Sequence, residues 1–193
     1  MRHPNMVLLL GACPENGCLV YEYMENGSLE DRVFCKDNTP PIPWGTRFKI
    51  AAEIATALLF LHQTKPEPPV HRKLKPANIL IDRNYVSKIS DVGLARLVPP
   101  SVADTVTQYH MTAAAGTFSK PPIGLAHHVT RAIEKGTFSE ILDPAVTDWP
   151  VEEALSFAKL AMQCCELRKR DRPDLGSVIV PELKRLRDLD PDF

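Results

Sequence analysis

No apolar run in this sequence approaches the roughly 18 residues that a membrane-spanning helix needs, and no basic-then-apolar start resembles a secretion signal. A soluble chain is expected. Charge of one sign is lacking too: 23 Lys and Arg stand against 24 Asp and Glu, so nothing in the balance suggests a nucleic-acid partner. Five cysteines is an odd count, and Cys13, Cys18, Cys35 and the Cys164-Cys165 pair lack the paired spacing of a zinc site. They read as reduced, structural thiols. Internal repeats and low-complexity segments are also missing, which excludes a repeat architecture. What is there is a 193-residue chain, 44% hydrophobic, with enough apolar side chains for a core.

Local signals divide it into short strands and longer helices. Val7 to Leu10 and Leu19 to Glu22 are apolar runs joined by Gly11, Pro14 and Asn16-Gly17, the pattern of a hairpin. Ser28 with Asp31 three residues later has the form of a capping box, so a short helix should start there. After the Pro40-Pro41-Ile42-Pro43 loop, Phe48, Ala51, Ile54, Ala55, Leu58 and Leu61 recur at helical spacing and predict a core helix over about 47–62. Pro66-Glu67-Pro68-Pro69 ends that pattern and forces an extended path.

Short strands are expected at about 79–81 and 87–89. Further helices are expected over about 125–135, stopped by Gly136, and over about 152–165, with a stripe of Leu155, Ala158, Leu160, Ala161 and Cys165. A last helix over about 174–189 should be interrupted by Pro181. The mixed charges from Glu166 to Asp171 read as a solvated face. His127-His128 reads the same way, since adjacent helical residues point apart.

The chemistry concentrates in His71-Arg72-Lys73-Leu74-Lys75-Pro76-Ala77-Asn78 and in Ser90-Asp91-Val92-Gly93. Asn78 falls five positions after Lys73, and Asp91 thirteen after Asn78, with apolar Ile79-Leu80-Ile81 between. These stretches resemble the catalytic loop and metal-binding turn of protein kinases. There the loop reads H-R-D-x-x-x-x-N, the Asp takes the proton of the substrate hydroxyl, and the Asn holds magnesium. Leu19-Val20-Tyr21-Glu22-Tyr23-Met24 resembles a kinase hinge, with Tyr21 at the gatekeeper position, and Asn26-Gly27-Ser28-Leu29 the start of the next helix. The segments from Ser87 to Arg96, Thr112 to Phe118 and Asp171 to Leu175 are similar to plant receptor-like kinases of the cytoplasmic branch fused to a U-box.

The resemblance implies an α+β, protein-kinase-like fold, mostly a helical large lobe with a remnant of the small-lobe sheet, internally deleted. Residues 1–24 would be small-lobe remnant and hinge, 25–118 the large lobe to the activation segment, and 119–193 the C-terminal large-lobe helices. It implies Mg2+ and ATP as cofactors, with Asn78 and Asp91 as metal ligands, and with Glu22, Met24, Leu80 and Asp91 as the nucleotide site. Lys75 would offer its charge to the transferring phosphate.

Three departures from the family pattern oppose activity. Lys73 stands at the position of the catalytic Asp, and an ammonium offers donors and no acceptor. A general base supplies about 10²–10⁴-fold in rate, so its loss alone is severe. Upstream, no glycine-rich loop and no lysine–glutamate pair precede the hinge, and Met1 to Val7 resembles the turn after the glutamate helix. Downstream, Ser119-Lys120-Pro121-Pro122 follows Phe118 where the family continues into its peptide-binding loop, its A-P-E-type motif and a buried helix. Arg172, which in the family pairs with the glutamate of that motif, then has no evident partner. The same losses should expose the stripes of the helices at 47–62 and 152–165.

Weak or absent ATP binding is the resulting expectation. His71 reads as a structural turn residue, and Thr105, Thr107, Thr112 and Thr117 as loop hydroxyls. Three readings compete: a defective, cytoplasmic kinase-like fragment or pseudokinase; an active serine/threonine kinase if a longer transcript supplies the missing parts; and a non-enzymatic scaffold of a U-box ubiquitin ligase. Protein partners in kinase or ubiquitin-ligase signalling follow from the resemblance, with no nucleic acid and no membrane span expected.

Overall fold

A computed structural model of the chain describes residues 2–66, 71, 73–92 and 124–191. The expectations for Arg72, the four threonines and the segment around Phe118 lie outside the described residues. The chain divides into two compact units, Met1–Leu97 with Leu183–Phe193, and Val98–Glu182.

The first unit is built on two antiparallel strand pairs. Strands β1 (Leu9–Cys13) and β2 (Cys18–Tyr21) form the hairpin, two to three residues later at its first strand than the apolar run suggests. Pro14–Asn16 makes a single 3₁₀ turn between them, and Gly17 closes it at a φ of 61°, which a side-chain-bearing residue would resist. Ser28 and Asp31 form the expected capping box at helix α1 (Leu29–Val33): Ser28 Oγ accepts from the Asp31 N–H at 3.1 Å, and the Asp31 carboxylate accepts from Ser28. Helix α2 (Trp44–Gln63) begins three residues before the expected start at about 47, because Pro43 ends the loop and its carbonyl accepts from Arg47.

Strands β3 (Ile79–Ile81) and β4 (Ser87–Ile89) fall where the sequence predicts and pair Ile79 with Ile89. Two non-strand segments flank this pair. The Asn26 N–H donates to the Ile81 carbonyl at 3.0 Å and the Ile81 N–H to the Gly27 carbonyl at 2.9 Å, while the Val7 and Ile89 amides bond across to Ile89 and Asn5. Both edges are thereby satisfied. Ile42, Ile50, Ile54, Ala57 and Leu61 close over the pair with Met6, Ile79, Ile81 and Ile89 as one buried cluster. The α2 stripe is therefore covered, against the expectation that it would be exposed.

A buried polar contact locks α2 to β4. Ser87 is fully buried, and both its N–H (2.7 Å) and its hydroxyl (2.6 Å) donate to Oε2 of Glu53 on α2. Leu183 and Leu186 are buried in the same unit, and Asp190 sits so close to Gly45 that a Cβ there would collide with its carboxylate.

In the second unit, helix α3 (Leu125–Lys135) ends at Gly136, which takes a left-handed φ of 72° as its C-cap. Helix α4 (Val151–Cys164) buries Ala154 and Leu160 but leaves Ala161 and Cys165 exposed, so its stripe is only partly covered. His127, His128 and the charged run from Glu166 to Asp171 are exposed, as read from sequence.

The final helix differs from expectation at Pro181. A π-helical turn, Leu175–Ile179, is capped by the Asp174 carboxylate and precedes helix α5 (Val180–Arg187), which runs through the proline uninterrupted. Pro181 follows closely on that turn inside a continuous helical stretch, and the wider π-helical turn before it makes room for a residue without an N–H. Arg172 is also corrected: its Nε donates to the Glu166 carbonyl at 2.7 Å, a backbone acceptor in place of a carboxylate.

Candidate functional site

Antiparallel pairing of Ile79 with Ile89 brings Asn78, just before β3, beside Ser90 and Asp91, just after β4. The Ser90 N–H and hydroxyl both donate to the Asn78 carbonyl, at 2.9 and 3.1 Å. His71 binds the same turn. Its Nε2 lies 2.8 Å from the Ser90 carbonyl, which can only accept, so Nε2 carries the proton. Its Nδ1 then accepts from the Lys73 N–H at 3.3 Å. Both nitrogens are engaged with backbone, and the ring is buried, so His71 is a clamp and not a base.

The buried Asn78 side chain completes the clamp by donating from Nδ2 to the Lys73 carbonyl at 3.0 Å. Lys73 is therefore held through its backbone on both sides, by His71 and by Asn78, while the residue itself is exposed. Among the described residues the contacts that hold this loop run through the Lys73 backbone and not its side chain. Lys75 is exposed as well, and its carbonyl accepts from the Asn78 N–H at 2.9 Å in the 3₁₀ turn Pro76–Asn78.

Asp91 takes a φ of 59°, in the left-handed region. Such a conformation costs a non-glycine residue on the order of 1 kcal/mol, least for Asp and Asn, and Cys35, Asp37, Asn38, Tyr85 and Asp148 share it. Among the described residues no cluster of three or more His, Cys, Asp or Glu could hold a metal. Asn78 with Asp91 suits magnesium nonetheless, because that ion relies on one or two carboxylates and takes its other oxygens from water and phosphate.

The second half of the site follows β2. An open cleft of about 580 Å³ is lined by Tyr21, Glu22, Tyr23 and Met24, by Gly27 and Ser28, and by Ala77 and Leu80. The expected hinge and the expected floor residue thus meet in one cavity. Among the described residues the Glu22 carbonyl and the Met24 N–H have no hydrogen-bond partner, which leaves an acceptor and a donor for a planar heterocycle edge. A larger hollow at the end of α2, lined by His62 to Pro66, contains none of the expected site residues.

Glu22 has a role that sequence reasoning missed. Its Oε2 pairs with Lys88 Nζ on β4 at 2.8 Å, and its Oε1 accepts from the Leu8 N–H at 2.8 Å. Partial burial pushes its carboxyl up, but the Lys88 and Leu8 hydrogen bonds outweigh that and hold it below the ordinary value. The pair fastens the hinge to the strand that leads into Asp91. No local signal announces it, since the partners are 66 residues apart.

Residues 1–115, more than half the chain, match the family model of protein tyrosine and serine/threonine kinases. This chain belongs to the protein kinase family. The α+β architecture, with its two small antiparallel sheets, is that of a partial kinase domain. U-box domain-containing protein 34 of Arabidopsis thaliana is 49% identical over 217 residues, covering 96% of this chain and 27% of the relative. U-box domain-containing protein 35 of the same plant is 47% identical over 97% of the chain, and U-box domain-containing protein 70 of Oryza sativa subsp. japonica 39% over 97%. The chain spans about a quarter of the length of these relatives.

The alignment with the first of them is longer than the 193 residues of this chain, so the relative carries residues that have no counterpart here. That agrees with an internal deletion. Kinases of this family use Mg2+ and ATP. Among the described residues no helix is long and apolar enough to cross a membrane.

Proposed function

We propose that this chain is a kinase-like module in which phosphoryl transfer is disabled at position 73 and nucleotide binding is weak. The observation that supports the reading is the clamped catalytic loop. His71 and Asn78 hold the Lys73 backbone in place, yet the side chain delivered there is an ammonium, which cannot accept a substrate hydroxyl proton. Bound Mg-ATP would supply a transferable phosphoryl group. Asn78 and Asp91 would hold the metal, the Glu22 carbonyl and Met24 N–H the adenine edge, Leu80 the pocket floor, and Lys75 a charge toward the phosphates. The lobe boundaries at 24 and 118, and a cytoplasmic setting, belong to the same proposal.

The test is incubation of the purified chain with labelled Mg-ATP and a serine- and threonine-rich protein substrate, beside the Asp91→Ala variant. Transfer no greater than in the variant is expected. Incorporation that Asp91→Ala abolishes would overturn the reading in favour of an active serine/threonine kinase, in this chain or in a longer transcript. Thermal unfolding with and without Mg-ATP tests the pocket separately. A ligand at a hundredfold excess over its dissociation constant stabilises by about 2.7 kcal/mol, and a smaller shift is expected here.

A second reading is favoured by the relatives' names, each a U-box domain-containing protein several times longer than this chain. The module would then serve as a non-enzymatic scaffold in a U-box ubiquitin ligase, with protein partners, no nucleic acid and no membrane span. A pull-down of the full gene product with ubiquitin-conjugating enzymes that retains none of them would sink that reading.

A further inference from the structure

The β1–β2 hairpin sets two of the five cysteines face to face. Cys13, the last residue of β1, and Cys18, the first of β2, are direct partners in the antiparallel register. Directly opposed residues have Cα atoms roughly 4.5–5.5 Å apart, inside the roughly 4.4–6.8 Å that a disulfide spans. Their sulfurs also meet the same residue. Asn16 Nδ2 donates to Cys13 Sγ at 3.4 Å, and the Cys18 thiol donates to the Asn16 carbonyl at 3.3 Å. Cys18 is exposed and Cys13 half-buried, so a small oxidant reaches the pair. Absence of zinc-type spacing made these thiols read as merely structural; the strand register is what pairs them.

The other cysteines lack this arrangement. Cys164 and Cys165 are adjacent at the C-terminal end of α4, where neighbouring side chains diverge, and burial pushes the Cys164 thiol up, away from the reactive thiolate. Cys35 has no cysteine opposite it among the described residues.

We propose that Cys13 and Cys18 form a reversible cross-strand disulfide when the chain meets hydrogen peroxide. One thiolate attacks a peroxide oxygen: an S–O bond forms, the O–O bond breaks, and the hydroxide released takes up a proton as water. The second thiol attacks the resulting sulfenic sulfur, the S–S bond forms, the S–O bond breaks, and a second water leaves. Two thiols and one peroxide thus become one disulfide and two waters, the cysteines losing two electrons and the peroxide gaining them. A dithiol reductant reverses the change. Because β2 runs straight into Glu22 to Met24, the cross-link tethers the strand that carries the hinge.

Trypsin isolates the pair cleanly. It cuts after Arg2 and Arg32 and nowhere between, so the peptide His3–Arg32 carries Cys13, Cys18 and no other cysteine. The intact chain is treated with hydrogen peroxide, alkylated, digested and weighed. The expected peptide has lost two hydrogens, resists alkylation, and regains both alkylation sites after dithiothreitol, while Cys35 and Cys165 remain alkylated. In Cys18→Ser, and separately in Cys13→Ser, the two-hydrogen loss disappears. Free thiols under conditions that oxidise Cys35 or Cys165, a disulfide joining two chains, or oxidation that stops at sulfenic or sulfinic acid on Cys18 would each overturn the proposal. Amide hydrogen exchange from Leu19 to Met24 reads the effect on the hinge. Oxidation is expected to slow it on the order of tenfold, and unchanged exchange would refute the tether.

Discussion

Among the described residues, two antiparallel strand pairs of short strands have opposite fates. In β3–β4, Ile81 and Ile89 are 0% exposed and Ile79 8%; in β1–β2, Leu9 is 50%, Leu10 60%, Leu19 46% and Val20 51% exposed. Both pairs are rich in β-branched or long aliphatic residues, so intrinsic strand preference does not separate them. Surroundings do. Segments 26–28 and 5–7 hydrogen-bond to the two edges of β3–β4, and α2 covers its face, whereas the hairpin has little beyond its own partner strand. A two-stranded ribbon is marginal alone in water, and the functional loop is accordingly suspended from the supported pair.

That contrast can be broken most sharply at its centre. Ile81→Ala removes a fully buried side chain from the cluster and is expected to cost about 3 kcal/mol in urea unfolding of the chain. Glu53→Ala should come next, at about 2 kcal/mol, because it strands two buried Ser87 donors under α2. Restoration of stability in the double variant Glu53→Ala, Ser87→Ala would show that the unsatisfied hydroxyl is a large part of the cost.

Glu22→Gln should cost on the order of 1 kcal/mol near neutral pH, since it weakens the ion pair that joins the hairpin's hinge end to β4. Its pH dependence has a definite sign. The folded-state value is lowered, so the contribution is present above the ordinary carboxylate value and is lost as pH falls through the lowered one. Unfolding stability of the native chain should therefore drop over that acid window more steeply than that of Glu22→Gln. The smallest effect belongs to Leu10→Ala on the open hairpin, within about 0.5 kcal/mol by the same urea experiment. A cost equal to that of Ile81→Ala would mean that the hairpin face is covered in solution.

Local chemistry was readable wherever a residue acts on its near neighbours. The Ser28–Asp31 capping box, the Gly136 stop and the Ile79–Ile81 and Ser87–Ile89 strands all came from spacing or from a conformational demand of one residue. Pro181 misled because a helix can pass a proline when the turn before it widens, as the π-helical turn Leu175–Ile179 does here. Arg172 misled for a different reason: an arginine deprived of a carboxylate can turn to a nearby carbonyl, here that of Glu166.

The sequence by itself determined the family, through the spacing of Lys73 and Asn78 in one loop and of Asp91 in the turn after β4, because motif spacing along one chain needs no fold to be read. Tertiary structure alone decided the rest. It set Glu22 against Lys88, Glu53 beneath Ser87, His71 in a single proton arrangement between Lys73 and Ser90, and Cys13 opposite Cys18. The physical reason is common to most of them: a hydrogen bond or ion pair is set by distance in space, and Glu22 with Lys88, Glu53 with Ser87 and His71 with Ser90 are well separated along the chain.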